Sequence, residues 1–166
     1  IDGTVITVAK SELSVEDVET YTMTYLAPMI FDSSLSEGIL LWSSYGKLGH
    51  KVVACVKMYD LNTGKRKMLD WDADIDLEKF DFPNIDYPYV VYSWYTLIPG
   101  KGTEGKVMLL DLRTLKKQQL DEGFRYGNPK VRYPYVAWDA GNNRFILYNL
   151  DSQESTVISG AQQCWY

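Results

Sequence analysis

The stretch YPYVVYSW, Tyr87 to Trp94, returns 46 residues later as YPYVAWDA, Tyr133 to Ala140. An internal repeat constrains a fold more than composition does, because each copy must be one structural unit that buries its apolar face against its neighbours. Extended to PNIDYPYVVYSW and PKVRYPYVAWDA, the copies agree at five of twelve positions. A weaker copy begins at Pro28 as PMIFDSSLSEGILLW and sets Trp42 opposite Tyr92 and Trp138. Downstream, VKMYDLNTGKRKML (from Val56), VMLLDLRTLKKQQL (from Val107) and FILYNLDSQESTVI (from Phe145) follow one template. Each is an alternating apolar run, then Asp or Asn, then Leu, a polar turn and a second short run.

Each unit reads as four short strands, A to D. The Pro-led piece is strand A, with Pro suited to a strand's first position. The run ending in the aromatic, YVVY or YVAW, is strand B. A glycine- or asparagine-bearing hairpin follows, Gly141-Asn142-Asn143 in the last copy, and leads into strands C and D. Four strands in about 40–50 residues is the signature of a propeller blade. The expected fold is all-β, built of four-stranded blades over 27–81, 82–127 and 128–166. Residues 1–26 read as strands C and D of a partial blade, with TVITVAK alternating well. A small β-sandwich is the alternative.

The pattern Pro-x-Ile/Val, then YVVYSW or YVAWD, then MYDLNTG or LYNLD, resembles the TolB-type β-propeller repeat over residues 27 to 160. Related repeats occur in bacterial periplasmic and archaeal cell-surface proteins. The resemblance therefore implies a propeller fold and an extracellular, cell-surface or periplasmic location. It implies little about activity, because a fold does not carry a function. Three blades and a half leave sheet edges open, so the chain reads as a piece of a larger propeller or as a self-assembling unit. Its first residue, Ile1, fits an amino terminus set by processing.

At 166 residues the chain is long enough to bury a core without disulfide staples. Its 13 tyrosines and 5 tryptophans suit half-buried pleated surfaces and interfaces. The net charge of −5 argues against a nucleic-acid partner. No apolar run approaches the roughly 18 residues of a membrane span. The two cysteines, Cys55 and Cys164, are too few for a disulfide framework, and spacing leaves their pairing open.

Most candidate chemistry meets a simpler reading. GKGTEGKV, Gly100 to Val107, matches a phosphate-loop pattern but has Val107 where Ser or Thr must hold magnesium. The repeat also makes it a hairpin tip rather than a helix start. In DWDADIDLEKFD the carboxylates of Asp70, Asp72, Asp74 and Asp76 alternate along one strand side, an arrangement calcium would relieve. A solvated connection between blades is the competing reading, and no other cofactor is expected. The sole histidine, His50, lies in a hairpin and has no G-x-S-x-G nucleophile elbow to serve.

Trp42, Tyr92 and Trp138 read as packing between blades. The turn between strands A and B puts Tyr87, Tyr89, Tyr133 and Tyr135 at one end of the blades, where with Trp94 they are candidates for a contact surface. The functional expectation is a non-catalytic binding or scaffolding module that contacts protein or glycan. The alternatives are the propeller portion of a larger hydrolase or polysaccharide lyase, and a structural subunit of a surface layer or virion that assembles through open edges.

Overall fold

The computed structural model describes residues 33–48, 51–72, 78–98, 100, 102–124 and 127–160. Within them twelve strands form three four-stranded antiparallel sheets. The first holds β1 (Ser33–Ser36), β2 (Ile39–Leu48), β3 (Lys51–Asp60) and β4 (Arg66–Asp72). The second holds β5 (Glu78–Asp86), β6 (Tyr89–Ile98), β7 (Gly102–Asp111) and β8 (Lys116–Phe124). The third holds β9 (Gly127–Arg132), β10 (Tyr135–Asp139), β11 (Arg144–Asn149) and β12 (Glu154–Ser159). In every sheet the strands lie side by side in chain order. The repeat is thus one blade per copy, and the expected all-β propeller architecture is the one observed. The proposed partial blade at 1–26, His50 and Cys164 lie outside the described residues.

Blades stack through their first two strands: β5 packs on β1 and β2, and β9 packs on β5 and β6. The octamer explains this economically. Successive residues of a strand point to opposite faces, and the second sheet is covered on both. Val90 and Tyr92 therefore join Ile39, Leu41, Val56 and Leu110 in a core between the first and second sheets. Val91 turns the other way and joins Val107, Val131, Val136 and Trp138 between the second and third. A buried Val or Leu side chain contributes about 1.5–3 kcal/mol, so these two layers are the chief apolar contribution to the fold.

One expectation is refined. Pro83 and Pro129 are not the first residues of their strands; β5 starts at Glu78 and β9 at Gly127. Both prolines are fully buried and sit where the register slips, between Asp81 and Asn84 and opposite the Ala137–Asp139 irregularity. Each follows a residue with positive φ, Phe82 at 54° and Asn128 at 47°. β5 and β9 are edge strands of their sheets, so the N–H that proline lacks leaves no ladder bond unmade.

The Asp/Asn-Leu step in the repeat also has a physical role. The N–H groups of Leu61, Leu112 and Leu150 donate to the carbonyls of Gly38, Pro88 and Pro134 at 2.8–2.9 Å. This ties each C–D turn to the A–B turn of its own blade. The preceding Asp60, Asp111 or Asn149 caps the turn by accepting backbone N–H bonds through its side chain. All these turns consequently gather at one end of the blades.

Candidate functional site

That end carries the tyrosines. Tyr87 and Tyr133 occupy the A–B turns of the second and third blades, each before a cis proline, Pro88 or Pro134. Tyr89 and Tyr135 open the strands that follow. Tyr87, Tyr133 and Tyr135 stay 41%, 52% and 44% exposed. Tyr89 and Tyr133 stack across the blade boundary with centroids 6.0 Å apart and planes 5° from parallel. The Arg113 guanidinium lies over the Tyr89 ring at 5.5 Å and donates to its hydroxyl at 3.3 Å.

The polar surroundings hold these rings in place. Arg113 is paired with Asp111 at 2.9 Å, and their hydrogen bond pulls the Asp111 carboxyl below its ordinary range and raises the guanidinium further. The Tyr133 hydroxyl donates to Asp151 at 2.7 Å, which raises its pKa. The Tyr133 N–H donates to Asp86 of the second blade, also at 2.7 Å. The result is a pre-ordered aromatic patch with a cation and several carboxylates around it. Such a patch can bind by stacking, apolar contact and charged hydrogen bonds. Nothing in it forms a nucleophile–base pair, and among the described residues no group of three or more His, Cys, Asp or Glu is placed to hold a metal.

The structure separates Trp94 from the four tyrosines. It lies five residues along β6 from Tyr89, packed against the first core, with the Lys106 ammonium 4.5 Å above its ring. Of the four aspartates, Asp70 accepts from the Tyr92 hydroxyl and from Lys117. Each Asp70 carboxylate oxygen thus already has a protein donor. Asp72 ends β4, and Asp74 and Asp76 lie outside the described residues. The Gly100 loop is a hairpin tip, with Val107 inside β7. Cys55 is a buried free thiol that donates to the Ser44 carbonyl at 3.1 Å, and burial pushes its pKa up.

What sequence reasoning missed is a set of repeated polar contacts between blades. Tyr92 of the second blade bonds to Asp70 on β4, and the Trp138 indole N–H of the third bonds to Asp121 on β8 at 3.0 Å. On the inner strands, Ser34 accepts from the Ile85 N–H at 3.3 Å, and Asn84 accepts from the Val131 N–H at 2.8 Å. Ser36 accepts from the Tyr87 N–H, and Asp86 from that of Tyr133. The signal was present: Asp70 stands 14 residues after Val56, and Asp121 stands 14 after Val107. A strand bulge at each place, beyond Val56 and beyond Val107, keeps the two carboxylates in matching positions.

These sheets, stacked by their first strands and bolted by matching side chains, define a β-propeller. Comparison with protein families found no match, and comparison with curated proteins found no matching relative. Solved structures do match in fold. The β-propeller domain of the trilobed protease from Pyrococcus furiosus, described as having an open velcro topology, superposes with TM-score 0.58 at 11% identity, over 82% of this chain and 45% of that one. TolB from Acinetobacter baumannii gives 0.52 at 13% identity, over 77% of this chain and 31% of that one. The acylaminoacyl peptidase of Pyrococcus horikoshii gives 0.52 at 11% identity, over 79% and 25%. The chain has the propeller-blade fold of TolB-type proteins, and it spans less than half the length of each of these three.

Proposed function

We propose that this chain is a non-catalytic binding module of propeller type that engages a protein partner through the turn face bearing Tyr87, Tyr133 and Tyr135. One observation carries the reading: three exposed tyrosines, Tyr87 and Tyr133 on the A–B turns and Tyr135 at the start of β10, gather at the end where the backbone ties the turns down, and Tyr133 stacks on the Tyr89 ring that Arg113 covers. Tyr and Arg dominate the energetics of protein interfaces, and pre-ordered rings lose little entropy on binding. A glycan would also find rings here, but Tyr89 and Tyr133 stack on each other and Arg113 covers Tyr89, which favours a protein surface. An extracytoplasmic setting is part of the proposal, and rests on the likeness to TolB. No helix among the described residues is long and apolar enough to cross a membrane, which leaves β-barrels unaddressed.

The likeness to propellers of peptidases keeps one second reading, in which this face borders the catalytic domain of a larger hydrolase. The test is a comparison of the native chain with a Tyr87→Ala/Tyr133→Ala/Tyr135→Ala variant. Both are immobilised and offered a glycan array and secreted proteins of the source organism. Saturable protein binding by the native chain, lost in the variant while its unfolding midpoint holds, is the expected outcome. Binding that survives the triple change would refute the assignment of this face.

A further inference from the structure

The two described blade boundaries use one rule. The leading blade presents acceptors on its inner strand, Ser34 and Ser36 or Asn84 and Asp86, and the following blade brings backbone N–H donors to them. Its outermost strand adds a carboxylate, Asp70 or Asp121, for the next blade's aromatic. The third blade breaks the rule at every one of these positions. Register places Lys130 and Arg132 where Asn84 and Asp86 stand, because each pair faces the same partners across its sheet: Ala137 and Tyr135 here, Val91 and Tyr89 there. Ile158 pairs with Phe145 as Asp121 pairs with Val107. Lys and Arg only donate hydrogen bonds, and Ile does neither.

A further blade of this repeat would therefore meet donors with donors. A second copy stacked head to tail brings the same mismatch through the N–H groups of its β1. Two third sheets set face to face would oppose like charges on their inner strands. Lys130 and Arg132 are exposed, and no described residue engages either. Beside them the middle of the face holds Ala137, Phe145, Leu147 and Ile158, and it is shallower than its counterparts, with Ala137 where Leu41 and Val91 are fully buried and with Ile158 45% exposed. Two carboxylates share the face: Asp139, two residues beyond Ala137, is hydrogen-bonded to the Gly141 N–H at 2.7 Å, and Glu154 stands on the outermost strand β12, at the opposite edge of the sheet from Lys130 and Arg132.

We propose that the outer face of the third sheet is a docking surface for an acidic, strand-forming segment of a partner protein. Lys130 and Arg132 donate to its carboxylates, and Leu147 and Ile158 take its apolar side chains. This surface adjoins the tyrosine face at Tyr135, the cross-strand partner of Arg132; the Lys130→Glu/Arg132→Glu variant leaves Tyr87, Tyr133 and Tyr135 in place, so the two readings fail separately.

The probe is a fluorescent octapeptide alternating glutamate and valine, with a lysine–valine octapeptide as control, followed by anisotropy against the full chain. The acidic peptide binds. Lys130→Glu/Arg132→Glu weakens it about tenfold or more, and about 0.5 M salt does likewise; the basic peptide does not bind. Carbodiimide coupling on the unaltered chain joins Lys130 to a peptide glutamate, so a result follows even where the double variant misfolds. Three outcomes overturn the proposal: binding undiminished in the variant, no binding, or coupling of Lys130 instead to carboxylates of residues 1–32 or of a second copy.

Discussion

Tyr92→Phe isolates one inter-blade bolt with almost no change in shape. Tyr92 is fully buried, and its hydroxyl donates to Asp70 at the junction of the first and second blades. Phe fills the same space, so no cavity term arises. What is lost is a hydrogen bond to a charged acceptor, worth about 1.5–3 kcal/mol, and Asp70 keeps its ion pair with Lys117. The expected cost at neutral pH is about 2 kcal/mol, read as a lower urea midpoint at unchanged slope.

The pH dependence provides a stricter check. Burial, and then the nearby Asp70 charge, raise the Tyr92 pKa in the folded chain. A tyrosine in the unfolded chain ionises near pH 10. Above that pH the unfolded state has released a proton that the native state keeps, so this group's contribution to stability declines as pH rises. The decline is about 1.4 kcal/mol per unit. The buried Lys57 has its pKa lowered and acts in the opposite sense, but equally in both proteins, so the difference between them removes it. The gap between native and Tyr92→Phe should hold steady from pH 6 to about 9, then narrow. A gap below about 0.5 kcal/mol at pH 7, or one indifferent to pH up to 11, would refute the bolt.

Asn84 serves both blade boundaries, donating to Ser34 and accepting from the buried Val131 N–H. Asn84→Ala should therefore cost about 1–3 kcal/mol in urea unfolding, chiefly by orphaning that donor; an effect under about 0.5 would remove the inner-strand contact from the account. Ser93 has a buried hydroxyl with no partner among the described residues, so Ser93→Ala should be neutral or stabilising by about 1 kcal/mol. A loss of that size instead would show a partner for the hydroxyl. Lys57 is 4% exposed, and burial lowers its pKa, so charging it disfavours the folded state below its unfolded pKa. Lys57→Met should be neutral to about 1–2 kcal/mol stabilising at pH 7, with the gain shrinking toward pH 10. A gain that grows with pH would contradict that sign.

The three described blades and their strand order were legible in the sequence because both follow from spacing. YPYV repeated at Tyr87 and Tyr133 marks one boundary type, and Asp-Leu or Asn-Leu before a polar turn marks the other. The contacts between blades were legible only as the matching places of Asp70 and Asp121 in the repeat; that they, Ser34 and Asn84 bond to the next blade depends on which strand faces which. Asp70 is instructive. Read along the chain it joined three other aspartates and suggested a cation; read across the sheets it is an acceptor for Tyr92 and Lys117. The prolines show the same limit, because β5 and β9 begin before them and a bulge takes each proline into the strand without altering the pattern around it.

The repeat also separates positions that the fold explains from positions that it does not. Positions that recur in every described blade, such as Leu61, Leu112 and Leu150, make the same bond each time and need no other explanation. Positions that hold acceptors in two blades and donors in the third cannot be doing the same work. Lys130 and Arg132 sit on an inner strand, next to a fully buried proline and a buried valine, in a blade whose remaining contacts follow the rule. Cations there do nothing for the boundary behind them, which Val131 and Tyr133 already close through their N–H groups. Their side chains are exposed on the face of the third sheet that no other described sheet covers. Departure from the repeat, rather than agreement with it, is what marks that side as a surface made for a different partner.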